Sequence, residues 1–71
     1  EFRITLSNKN HQGMIGKITT VLADNKLNII DMVNKSRGDI AYNVIDLETK
    51  PPEKVLVELS ALDDVISVRE V

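Results

Sequence analysis

The way apolar patterning changes along the chain predicts an α+β fold, ferredoxin-like with element order βαββαβ: a four-stranded antiparallel sheet carrying two helices on one face. Three observations lead there. Residues alternate with period two at both ends, two stripes of helical spacing stand inside those strands, and a Gly-Asp turn divides the middle into a hairpin. Right-handed crossovers then interleave the halves, making the first and third strands central and the second and fourth edges. The other sheet face and both edges are left as candidate contact surfaces.

Phe2, Ile4 and Leu6 alternate with Arg3, Thr5 and Ser7, which predicts a strand with one buried face. Asn8 to Gln12 reads as a polar loop closed by Gly13. Met14, Ile15, Ile18, Val21 and Leu22 then form a helical stripe that stops near Asp24-Asn25-Lys26. Asn28 to Val33 is short and β-branched, a second strand whose Met32 and Val33 are interface candidates. Ser36-Arg37-Gly38-Asp39 supplies turn chemistry. Ile40 to Leu47 is apolar on both parities, as a central strand should be, and either parity could face the helices. Pro51-Pro52 suits the first turn of a helix, with Glu53 complementing its dipole. Val55, Leu56, Leu59 and Leu62 continue that helix, Asp63-Asp64 ends it, and Val65 to Val71 alternates as the last strand.

Size and charge narrow the function. With 71 residues, 9 Lys and Arg against 11 Asp and Glu, a net charge of −2, one His and no Cys, the chain is one small acidic domain. A chain of this size buries only about 60–65% of its unfolded surface, so support from self-association or from a longer polypeptide is expected. Scattered cations form no basic stripe for a nucleic acid, and no apolar run approaches the ~18 residues that cross a bilayer. Nothing at the N-terminus resembles a signal peptide. Lack of Cys removes thiol redox and thiolate metal chemistry and fits a reducing, cytoplasmic setting.

No catalytic constellation emerges. Asp63-Asp64, an adjacent acid pair, reads as turn residues. His11 has no nucleophile placed beside it. Gly13-Met14-Ile15-Gly16-Lys17 fails as a phosphate loop because the first Gly lies too close to the Gly-Lys pair. Phe2 and Tyr42 are too few aromatics for an RNA-stacking sheet, and the first loop has neither a Cys pair for metal carriage nor the Arg of an acylphosphatase-like enzyme. The loop itself remains. It sets three amides, Asn8, Asn10 and Gln12, before a helix whose first N–H groups near Met14 and Ile15 lack intrahelical partners. That terminus suits a carboxylate, and the amide oxygens suit an ammonium. Alternatively, Asn10 turns the chain and caps the helix.

Asn10 and Gly13 before Met14-Ile15-Gly16-Lys17-Ile18, then Leu27-Asn28-Ile29, Asn34 to Gly38, and Ala41-Tyr42-Asn43-Val44-Ile45-Asp46, together resemble the ACT domain, most of all the regulatory domain that ends D-3-phosphoglycerate dehydrogenases. The resemblance implies that residues 1–71 are a non-catalytic, amino-acid-binding regulatory domain. It implies a homodimer joined through the edge strand and first helix into one eight-stranded sheet, with L-serine bound between subunits for allosteric feedback. The ligand-binding residues it implies are Asn8, Asn10, Gly13, Met14 and Ile15 of one subunit and Asn28 of its neighbour. No cofactor is implied for this chain, and NAD for the parent enzyme. The family loop commonly reads His-x-Asn-x-Pro-Gly, and here Asn8 holds the His position and Gln12 the Pro position. Those departures keep open a pure oligomerisation module without an effector, or an ACT domain of another metabolic enzyme or regulator.

Overall fold

The computed structural model describes residues 2–71. Its elements are β1 (Phe2–Lys9), α1 (Met14–Asp24), β2 (Ile29–Arg37), β3 (Ile40–Leu47), α2 (Glu53–Ala61) and β4 (Val65–Glu70). They form the expected antiparallel sheet, ordered β2-β3-β1-β4, with β2 and β4 at the edges.

One parity of the central strands is apolar and meets both helices. Ile4 and Leu6 of β1 and Ile45 and Leu47 of β3 pack with Ile18 and Leu22 of α1 and Val55 and Leu59 of α2 in one aliphatic core. For β3 this decides which parity faces the helices: Ala41, Asn43, Ile45 and Leu47 point inward, while Tyr42 lies on the open face, 55% exposed. Ile15, although within the helical stripe, is 47% exposed, because the α1 face that meets the core is that of Met14, Ile18 and Leu22.

Both ends of α1 depend on left-handed backbone. Gly13, the N-cap, has φ 86° and no side-chain cap bond, so Asn10 does not cap this helix. At the other end Lys26 takes φ 60°, its N–H bonding to the Ala23 carbonyl and that of Leu27 to the Leu22 carbonyl. This is the Schellman pattern, with Lys where Gly is usual. Leu22 and Leu27, both in the core, supply its hydrophobic contact.

Several boundaries differ from the sequence expectations. Asn8 is not in the loop but is the last inward position of β1, opposite Ala41 and 2% exposed, because its amide finds partners inside. β2 continues through Asn34-Lys35-Ser36-Arg37, leaving a two-residue turn at Gly38-Asp39 in which Gly38 has φ 61°. An edge strand tolerates such polar residues because one of its sides is in water. Both prolines precede α2 rather than entering its first turn, and Pro52 is an extended N-cap. Strict alternation in β4 fails because Ser7 pairs with Ser67 and Asn8 with Val65, leaving Ile66 as an extra residue in a bulge. Val65 and Val68 therefore both reach the core.

Candidate functional site

The loop between β1 and α1 is tied at both sides. The Asn10 backbone N–H donates to the Asp39 carbonyl (2.7 Å) and its Nδ2 to the Gly38 carbonyl (3.3 Å), docking the loop on the tip of the β2–β3 hairpin. On the opposite side His11 Nδ1 lies 2.7 Å from Asp64 Oδ2, and the Lys9 N–H donates to the Asp64 carbonyl at 2.7 Å. Asp64 itself has φ 74°. His11, which the sequence leaves without a role, and the second acid of Asp63-Asp64, which it reads as a turn residue, thus meet across 53 positions to hold this loop.

Between those anchors the chain turns sharply at Gly13 and enters α1. The Met14 N–H makes a long 3.4 Å bond to the His11 carbonyl, and the Lys17 N–H reaches the Gly13 carbonyl at 3.1 Å. The N–H groups of Ile15 and Gly16 come between and have no intrahelical acceptor, which gives this terminus its preference for negative charge. Ile15 and Gly16 line a cleft of about 250 Å³ whose other walls include Asn8, Asn10, Gly13, Asn34 and Ala41. Met14 forms its buried floor. A larger depression of about 450 Å³ beside Pro51, Leu56 and Glu70 offers no comparable set of converging amides.

Three asparagines cross the strands beneath this cleft. Asn34 Nδ2 donates to Asn43 Oδ1 (2.6 Å), Asn43 Nδ2 to Asn8 Oδ1 (2.8 Å), and Asn8 Nδ2 to the Lys9 carbonyl (2.7 Å). Asn43 is 1% exposed and has a further 3.4 Å bond to the Leu6 carbonyl. Each of the two buried amides is therefore satisfied, as burial of polar groups requires. Asn34 and Asn43 stand in segments that carry the family resemblance, but nothing there gives them a binding role. The signal was there: Asn8 follows Ile4 and Leu6, and Asn43 stands between Ala41 and Ile45, so each breaks an otherwise apolar inward parity.

Of the residues singled out by sequence, Asn8, Asn10, Gly13, Met14 and Ile15 come together at the cleft. Asn28 does not. It precedes β2, its carbonyl accepting from the Glu48 N–H (3.0 Å), while the cleft adjoins the far end of that strand. At ~3.3 Å per residue, Asn28 and Gly38 are roughly 30 Å apart within one chain. Met32 and Val33 also separate: Met32 packs against the core, and Val33 is 42% exposed opposite Val44. The second edge of β2 pairs with nothing among the described residues.

Among the described residues no three His, Asp or Glu side chains converge on a metal site, and no helix is long and apolar enough to cross a membrane. A carboxylate with a perturbed titration is Asp46, held below the usual carboxylate range by its hydrogen bonds from Arg3 on the open sheet face.

Comparison with known proteins adds the family context. Residues 4–67 match the family described as the AHAS small subunit-like ACT domain. No curated protein matches by sequence. Among solved structures, the ACT domain of a GTP pyrophosphokinase from Chlorobium tepidum superposes with a TM-score of 0.83 at 19% identity, covering 99% of this chain and 95% of that one. A homoserine dehydrogenase from Thiobacillus denitrificans gives 0.81 at 22% identity, over 99% of this chain and 16% of that one. The acetolactate synthase small subunit from Thermotoga maritima gives 0.76 at 18%, over 97% and 45%. At these identities the likeness is one of fold.

Proposed function

Because this chain belongs to the ACT domain family, in its AHAS small subunit-like group, we propose that it is a regulatory module that binds a free amino acid at a seam between two copies of itself. The observation that carries this reading is the docking of Asn10 on Gly38 and Asp39. It holds the amide loop at one end of the unpaired β2 edge. Antiparallel pairing of two β2 edges about a two-fold axis beside Val33 would set position 28 opposite position 38. Asn28 of the partner subunit would then stand next to Asn10, closing a cleft that a single chain leaves open. The ligand's carboxylate takes the Ile15 and Gly16 N–H groups, and its ammonium takes amide oxygens. Pairing also removes an exposed edge and covers Ile15 and Val33.

The module acts on an enzyme to which it is joined or bound, in the cytoplasm. The motif resemblance favours a phosphoglycerate dehydrogenase, an NAD enzyme, with L-serine as the effector; the matched family favours an AHAS-type assembly. In either setting control requires that the ligand prefer one arrangement of the assembly, since equal affinity for two states shifts nothing.

Calorimetric titration of the dimer with the twenty proteinogenic amino acids tests the proposal. One of them should bind and raise the melting temperature by mass action, and Asn10→Ala or Asn28→Ala should remove both effects. A folded dimer that binds none contradicts it. A second reading, assembly without an effector, draws on Asn8, which stands at the family's His position and whose amide is already engaged by Asn43 and Lys9. The same titration separates the two.

A further inference from the structure

The asparagine ladder has a fixed polarity. At its inner end lies the Lys9 carbonyl, which can only accept, so Asn8 must present Nδ2 there and Oδ1 towards Asn43. Asn43 must then direct Nδ2 inward, where the Leu6 carbonyl, a second acceptor without a proton, also receives it. Its Oδ1 consequently faces outward and takes the Nδ2 of Asn34. Reversing any one amide would set two oxygens, or two NH2 groups, against each other at a buried position. The orientation of the exposed Asn34 is thus dictated by two acceptors lying across two strands. Its Nδ2 is held inward, and among the described residues its Oδ1 has no donor, while the residue lines the cleft beside α1.

We propose that Asn34 is the residue that selects for an ammonium group, its outward carbonyl oxygen accepting from the α-amino group of the ligand, with Asn43 and Asn8 as positioning residues that forbid the amide from turning over. This rests on the regulatory reading above and adds a specificity determinant to it. The cleft then has opposite polarities at its two walls: backbone N–H donors of Ile15 and Gly16 for a carboxylate, and the Asn34 acceptor for an amine. A carboxylic acid without the amine satisfies only the first.

The test compares each amino acid with the same acid lacking its α-amino group, by calorimetry on the dimer. The pairs are L-serine against 3-hydroxypropanoate and, for an aliphatic side chain suited to Met14, Ile15 and Ala41, L-valine against 3-methylbutanoate. The native dimer should prefer the binding amino acid by about 10- to 100-fold, the range of one charge-assisted hydrogen bond. Asn34→Ala, on an exposed edge position, should cut that preference to below about threefold while circular dichroism and sedimentation stay unchanged. Asn43→Val, with Asn34 intact but unanchored, should reduce it in the same direction. Loss of folding alone weakens both members of a pair and leaves their ratio untouched. If the native dimer discriminates and Asn34→Ala discriminates equally, the assignment of Asn34 fails and the regulatory reading survives. If the native dimer binds neither member of either pair and no other amino acid, both fail.

Discussion

Replacing Asn43 by Val removes the centre of the ladder and leaves one identifiable group stranded. Asn8 Oδ1 loses its only donor among the described residues while the residue stays 2% exposed. Asn34, at the exposed edge, recovers its lost bond from water, and the Leu6 carbonyl gives up only a long 3.4 Å contact. The cost is therefore that of one buried unsatisfied acceptor, about 1–3 kcal/mol. In a domain of this size that lowers the melting temperature by roughly 5–20 °C. The double variant Asn8→Val, Asn43→Val removes both partners. The Lys9 carbonyl keeps its 2.8 Å bond from the His11 N–H, and Val suits a strand position. The double variant should accordingly melt above the Asn43→Val single variant, although it carries one more substitution, and the coupling is read from the four melting curves by differential scanning calorimetry. A single variant within about 2 °C of the parent, or a double variant that is the sum of its singles, would refute the argument that these amides satisfy one another.

The backbone at the ends of α1 predicts substitutions of opposite sign. Gly13→Ala should cost about 1–2 kcal/mol in urea unfolding, since φ 86° disfavours any Cβ although nothing lies within 4 Å of where it would be, whereas Lys26→Gly at φ 60° should stabilise by about 1 kcal/mol. Arg3 Nε donates to Asp46 at 2.7 Å and lowers its pKa, so the stabilisation is complete above the unfolded value near ~3.9 and is lost as pH falls through the lower folded value. The melting-temperature gap between the parent and Asp46→Asn should therefore be present at neutral pH and close on acidification; a gap that widens contradicts the pairing. Val33→Lys should set two cations across the two-fold axis and weaken the dimer by about tenfold or more in sedimentation, at unchanged monomer stability.

Apolar periodicity made most of the fold legible. β3 was bounded correctly because a turn lies on one side, prolines lie beyond the other, and apolar residues occupy both parities between them. The stripe Val55, Leu56, Leu59 and Leu62 likewise placed α2, since burial against one sheet demands that spacing. What escaped has a common physical origin. Asn8 looks like loop because it is polar, yet its burial is satisfied by Asn43, 35 positions away. Bulges at Ile30 and Ile66 add single residues that leave no compositional trace and shift which side chains face inward. The loop's contacts with Gly38 and Asp64 are formed by chain segments whose meeting depends on the completed sheet. The loop and helix-start residues of the cleft were therefore readable as a group, but Asn34 on its β2 wall and the asparagine ladder that orients it were not.

The central claim, that one ligand is shared by Asn10 of one subunit and Asn28 of the other, is tested most directly by mixing two inactive dimers. Asn10→Ala and Asn28→Ala homodimers each lack every intact seam. After subunit exchange, half of the dimers are mixed, and each of these rebuilds one seam from an unaltered Asn10 and an unaltered Asn28. Calorimetry on the mixture should recover about a quarter of the native binding sites at native affinity. If both residues served a ligand held within one chain, no mixed dimer would contain an intact site, and the mixture would remain as silent as its parents.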